Sequence, residues 1–279
     1  MGSEIFADGL LAGRVAIVTG GGTGLGLAAA TELARCGAAV VIAGRREDVL
    51  ADAATQIGGE VTTVAADVRE PEGAERIVAA ALDRHGRLDV LLNNAGGQYF
   101  VPAESLVTKG WRAVHRLNLS GTELMCRTAY ERAFRPAGAG TIINVTVSPH
   151  NGMPGMAHTC AARAAVEAYT RAFADEWAPV NVIALASGPF GTDALSKYPD
   201  VVQASVAMSV PLQRVGDPIE QGWLVALCAS PLGAALSGST VTLDGGRDNW
   251  FGPWPPPALV QDGEVPTEAR SGAPRPPVS

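Results

Sequence analysis

The stretch Val15 to Gly26, VAIVTGGGTGLG, sets Gly20, Gly24 and Gly26 at spacings that let a backbone bend sharply and lie close against a pyrophosphate. An apolar β-branched run, Val15 to Val18, breaks into this cluster and resumes as the alanine-rich pattern Leu25 to Ala34. That order predicts a strand, a tight turn and a helix, with the N–H groups of Thr23 and Leu25 at the helix start turned toward an anion. The plainer alternative is a turn that merely tolerates glycine. A second strand, Ala39 to Ala43, ends in Gly44-Arg45-Arg46, the place where an adenosine ribose is met in a dinucleotide fold. A carboxylate there would accept from a 2′-hydroxyl, whereas a guanidinium bonds a 2′-phosphate; Arg45, helped by Arg46, therefore argues for NADP(H). Read otherwise, both arginines are solvated residues opening the next helix.

The elements that must position these groups follow in alternation. Helix Glu47 to Ile57, strand Val61 to Ala66, helix Pro71 to His85 and strand Leu88 to Leu92 succeed one another. Such a series requires right-handed crossovers, which predicts a single Rossmann-type α/β domain: a doubly wound parallel sheet, helices on both faces and a ligand crevice at the strand C-termini. Asp67-Val68 and Asn93-Asn94-Ala95-Gly96 follow two of those strands and so reach the crevice. Asp67 can accept from an adenine amine and Val68 can cover its face, or each can simply cap a turn.

Composition narrows the partners. The chain has 279 residues, 47% of them hydrophobic, enough for a full core. Its net charge is −7, Lys109 and Lys197 are its two lysines, and no basic run tracks a nucleic-acid backbone. Cys36, Cys126, Cys160 and Cys228 show neither metal-ligand spacing nor a CxxC motif, so no metal is expected. Without a signal-like start or a long apolar span, the expected place is the cytoplasm, away from membranes.

Thr19-Gly20, Gly24, Gly26, Asp67, Asn93 to Gly96, Asn118-Leu119-Ser120-Gly121, Gly188 and Thr192 together resemble the short-chain dehydrogenase/reductase pattern, from about Leu10 to Gly246. Within it, NNAGGQYFVPAE, KGWRAV, NLSGT and HTCAARAAVE are similar to the branch of peroxisomal trans-2-enoyl-CoA reductases and related bacterial enzymes on acyl or terpenoid substrates. That branch usually employs NADPH. By the same resemblance Gly188, Pro189, Phe190 and Thr192 follow the sixth strand, Val180 to Leu185, at the nicotinamide end, and Thr192 would meet the carboxamide.

The resemblance implies a catalytic Asn, Ser, Tyr and Lys, and the chain departs from it. Asn118 stands at the Asn, Thr146 at the Ser, Thr159 at the Tyr and Arg163 at the Lys position. Thr159 and Arg163 keep the spacing that puts both on one helix face. A Thr hydroxyl is too weak an acid to replace a phenol, and Arg orients a ribose without shuttling protons near neutrality. Arg163 is expected to anchor cofactor; the alternative is an ion pair with Glu167 on the helix surface. In the enoyl reductase branch a tyrosine two turns further along this helix is assigned the proton; here that slot holds Glu167, with Tyr169 on another face. Tyr99 is a second candidate phenol, or a ring packed against Phe100. Ser148 is a candidate stand-in for the serine, Cys160 reads as packing, and His150 and His158 lack an evident carboxylate partner.

Apolar residues between 193 and 217 recur at helical spacing, as a substrate lid or as ordinary packing. After Asp244-Gly245-Gly246, aromatic Trp250, Phe251 and Trp254 lead into Pro255-Pro256-Pro257, so residues 1–252 read as the domain and 253–279 as a proline-rich tail. Family members pair through helices here at about Lys109 to Phe134 and Met156 to Trp177, which implies a homo-tetramer or homo-dimer. Two activities remain open: NADP(H)-dependent reduction of an activated C=C or C=O on an apolar small molecule, or a non-redox step or ligand binding on a repurposed fold.

Overall fold

Seven strands form one parallel sheet in the order β3-β2-β1-β4-β5-β6-β7. They are β1 Val15–Thr19, β2 Ala39–Gly44, β3 Val61–Ala65, β4 Val90–Asn93, β5 Thr141–Val147, β6 Asn181–Ser187 and β7 Thr240–Leu243. The computed structural model describes residues 2–148, 150, 152–193, 195 and 206–249. Residues 194 and 196–205 of the expected lid, and the whole of the expected tail, 253–279, lie outside the described residues. Three of the helices are α1 Gly24–Arg35, α2 Glu47–Ile57 and α3 Pro71–His85. A continuous helical stretch at 108–137 is α4, then come α5 Ala157–Glu176 and α6 Pro218–Ala229.

The strand sequences explain why both faces are covered. Along β1, Ala16 and Val18 join a core with Leu33 of α1, Leu50 of α2 and Val225 of α6. Val15 and Ile17, pointing the other way, join Ile77 of α3 with Met125 and Phe134 of α4. A sheet apolar on alternate residues of both faces can only be a buried, doubly covered one. Boundaries follow local chemistry: Asp217 and Glu220 form a reciprocal capping box around Pro218 at the start of α6. Gly86, at φ 72°, ends α3. The order reverses between β1 and β4, which opens a crevice at their C-terminal ends. Among the described residues no helix is long and apolar enough to cross a membrane.

Candidate active site

The first wall of the crevice is glycine by necessity. Gly20 turns the chain at φ +67°, and a Cβ there would stand 3.0 Å from the Ala95 Cα. A Cβ on Gly26 would come 2.2 Å from the Gly20 carbonyl oxygen. The Thr19 hydroxyl locks this turn to the segment after β4, accepting the N–H groups of Asn94 and Ala95, each at 3.0 Å. The Asn94 amide donates back to the Thr19 carbonyl at 3.1 Å. The α1 start has no acidic residue in its first turn and no side-chain cap from Thr23, which leaves the N–H groups around Gly24 and Leu25 open to an anion. Across it, the Thr192 methyl lies 3.6 Å from where a Gly24 Cβ would be. Pro189 and Phe190 are held against Gly216, whose N–H donates to the Pro189 carbonyl at 2.9 Å. Gly188 abuts Asp244, where a Cβ would approach to 2.5 Å.

At the C-terminal end of β2, Arg45 and Arg46 are exposed. The Asp67 carboxylate is clasped by its own neighbour: Oδ1 accepts the Arg69 backbone N–H at 3.0 Å and Nε at 2.9 Å. The Arg69 hydrogen bond, with further help from the Arg45 charge, holds that carboxyl down at about 2. Asp67 is thus an ionised turn cap with both oxygens engaged by Arg69, and Val68 is buried beside Gly121 of α4.

The other end of the crevice gathers residues from β4, α4, β5 and α5. Asn118 lies in a wide π turn, Arg116–Gly121, inside α4 and is fully buried. Its amide makes a reciprocal pair with the Gly97 backbone, donating and accepting at 2.9 Å. The Asn118 carbonyl accepts from Thr122 Oγ at 3.0 Å. Asn118 therefore fixes the loop after β4. The Arg163 guanidinium occupies the space that a Cβ on Gly96 would fill, 2.3 Å away, and donates to the Val145 carbonyl at 2.8 Å. Burial takes its pKa down to about 10. Among the described residues it has no carboxylate partner, so the helix-surface pair with Glu167 is not formed. Thr159 is also fully buried, its hydroxyl without a partner. Tyr99 packs against His158 with the rings tilted by 52° and their centroids 4.6 Å apart, and its hydroxyl lies over Gly110 of α4. These two contacts are with α5 and α4. Tyr169 is sunk among Phe173 and the second core, and burial raises its phenol pKa.

What the chain brings together instead is a row of carboxylates. Thr146 Oγ donates to Glu167 Oε1 at 2.8 Å, and the same oxygen meets His150 Nε2 at 3.0 Å. His150 Nδ1 meets Asp248 Oδ2 at 2.6 Å, and its backbone N–H donates to Asp248 Oδ1 at 2.6 Å. Ser148 donates to Asp244 Oδ2, which also accepts the Asp248 N–H at 2.7 Å. His150, expected to lack a carboxylate, has two. Partial burial pulls its pKa down, but the Asp248 hydrogen bond, the charges of both acids and the Glu167 bond outweigh that and raise it. For Asp248, burial pushes the pKa up and the bonds to His150 pull it lower still. No sequence signal paired His150 with Asp248, 98 residues away, because the contact exists only once β5 and β7 lie two strands apart.

Residues 20–248 match the family described as Enoyl-(Acyl carrier protein) reductase. The chain belongs to the short-chain dehydrogenase/reductase family. This family member is 36% identical over 253 residues to a peroxisomal 2,4-dienoyl-CoA reductase of Pongo abelii, covering 87% of this chain and 86% of the relative. It is 33% identical to a probable 2,4-dienoyl-CoA reductase of Bacillus subtilis (strain 168), covering 87% and 98%. A citronellol catabolism dehydrogenase of Pseudomonas aeruginosa PAO1 superposes with a TM-score of 0.78 at 38% identity, covering 88% and 98%. The short-chain dehydrogenase/reductase described here is accordingly an oxidoreductase of the enoyl reductase type.

Proposed function

We propose that this oxidoreductase uses NADPH to reduce an activated C=C or C=O of an apolar small molecule, with conjugated acyl thioesters the first class to test and terpenoid carbonyls the second. The single observation that carries the reading is Thr146 bonded to Glu167 at 2.8 Å beside the buried, unpaired Arg163. The site keeps a binding cation while a carboxylate stands where acid chemistry is needed. NADPH fits because Gly20 and Gly26 leave room for backbone contact to a pyrophosphate and no side chain could enter there. Gly20, Gly24 and the α1 N–H groups would hold the phosphates, Arg45 and Arg46 the 2′-phosphate, and Arg163 the nicotinamide ribose hydroxyls. When bound, NADPH supplies a hydride to the electrophilic carbon.

The chain's own residues handle the proton. Hydride addition to a conjugated thioester leaves an electron pair at the α-carbon. With Glu167 protonated the 2.8 Å bond runs the other way, Glu167 donating to Thr146 Oγ; Thr146 Oγ–H then passes its proton to that carbon and takes one from the Glu167 carboxyl in the same step, which leaves a carboxylate. A hydroxyl that both accepts and donates needs no low pKa of its own when an acid stands directly behind it. Asn118 keeps the loop carrying Gly96 and Gly97 in register with Arg163. The named relatives, all reductases or dehydrogenases, do not favour the non-redox alternative. Purified full-length protein should oxidise NADPH on addition of 2-enoyl or 2,4-dienoyl thioesters, enals or ketones, followed at the nicotinamide absorbance. A folded protein that binds NADPH and reduces nothing in that panel overturns the reading.

A further inference from the structure

His150 is held from two sides by acids of different elements, Asp248 from the segment after β7 and Glu167 from α5. The Asp248 grip is two-pointed, taking the backbone N–H and ring Nδ1 of the same residue at 2.6 Å each. It fixes the ring plane and turns Nε2 onto Glu167 Oε1 at 3.0 Å. With a carboxylate at each ring nitrogen, the imidazolium alone has a proton for both contacts. The His150 side chain is 34% exposed against 10% for Glu167, so it is the more solvent-accessible member of the pair. Nothing in the hydride step itself uses it.

We propose that His150 is a positioning residue that recharges the acid: after each turnover its Nε2–H proton passes to the Glu167 carboxylate, and solvent restores the imidazolium. This rests on the reading of Glu167 as the acid behind Thr146. The step balances, since one proton leaves Thr146 for substrate, one leaves Glu167 for Thr146, one leaves His150 for Glu167 and one enters His150 from water. Asp248 stays ionised throughout and keeps the ring aimed. Among the described residues the charged groups around the ring are Glu167, Asp248 and, one hydrogen bond further, Asp244, itself within the field of Arg247; Arg163, one turn before Glu167 on α5, points to the Val145 carbonyl instead. The raised pKa of His150 agrees with this arrangement.

The consequence is a pH profile with a defined sign. Turnover should be high while the pair holds its proton and should fall through a single one-proton step as pH rises past the raised pKa of His150. The test measures kcat and kcat/KM for NADPH oxidation against pH in wild type, His150→Asn, His150→Gln and Asp248→Asn, with NADPH affinity by fluorescence for each. His150→Asn and His150→Gln should lose the step and about 100-fold in kcat, the low end of the range for a lost acid–base group, with NADPH affinity unchanged. Asp248→Asn should keep the step but move it to lower pH. The glutamine variant retains hydrogen-bond donation without a titrating proton, so a wild-type rate and profile in it overturns the proposal. So does a step that survives in His150→Asn. If wild-type protein turns over and only these variants behave as wild type, the His150 role fails and the reductase reading stands. If wild-type protein binds NADPH and turns over nothing, both fall.

Discussion

Replacing Arg163 by Met separates a cofactor-binding arginine from a structural one. Burial moves the Arg163 guanidinium from its usual range down to about 10. That is a displacement of two to three pH units, or roughly 3 kcal/mol held against the charged form. At neutral pH the group is charged in both folded and unfolded chains, so this cost acts at every pH below about 10 and lifts only as pH rises through the folded pKa. Met removes it, but strands the Val145 carbonyl, whose bond from Arg163 is 2.8 Å long. An unsatisfied buried carbonyl costs about 1–3 kcal/mol. The two terms nearly cancel, so cofactor-free Arg163→Met should melt at or slightly above wild type. NADPH affinity should instead fall by about 1.5–3 kcal/mol, the scale for hydrogen bonds to a charged group, or roughly 10- to 150-fold. Arg163→Lys, which keeps the charge, should recover part of the binding. Calorimetric titration with NADPH and thermal unfolding of the same samples give both readouts. Met protein that binds NADPH as wild type does, or that loses several degrees of Tm with its affinity intact, refutes the reasoning.

Three other outcomes are expected. Arg45→Ala should erase most of a preference for NADPH over NADH of about 1.5–3 kcal/mol; equal affinity of the wild type for both cofactors removes the assignment. Thr159→Val should keep turnover within about tenfold and, by removing a buried hydroxyl without a partner, raise stability by up to about 1 kcal/mol; loss of all turnover in folded Val protein makes Thr159 essential after all. The depressed Asp67 carboxyl contributes stability that is present above the ordinary Asp pKa of 3.8 and is lost as pH falls toward about 2. The Tm gap between wild type and Asp67→Asn should therefore be widest near neutrality and close in acid, and a gap independent of pH counts against it.

The elements that the sequence made legible are those whose signals are local. Pro71 opens α3 and a left-handed Gly86 closes it, so both bounds read directly from the chain. Strand ends shifted by a residue or two, β4 starting at Val90 rather than Leu88, because pairing with β1 and β5 begins there. The glycine cradle was readable because close approach admits no other residue. The π turn around Asn118 carries no sequence mark. Neither does the choice that His150 makes between solvent and the acids of distant elements. Long-range polar contacts depend on which strand ends become neighbours, which a single sequence states only through its order of elements.

The fate of Arg163 and Glu167 shows how that limit bears on the chemistry. Four residues apart on a helix, an arginine and a glutamate read as a surface ion pair worth a few tenths of a kcal/mol. The fold separates them because each has a better place to go. Gly96, lacking a Cβ, opens a slot that admits the guanidinium and leads it to the Val145 carbonyl. Thr146 and His150, arriving from the end of β5, take the carboxylate. Had the pair formed, Arg163 would neutralise the one acid behind Thr146 and the site would hold no unpaired cation for a ribose. Held apart, the two side chains divide, on the function proposed above, the work that the resemblance assigns to a lysine. On that proposal the arginine is fixed in charge and suited to binding, while the imidazole beside the carboxylate is the group that exchanges a proton with solvent.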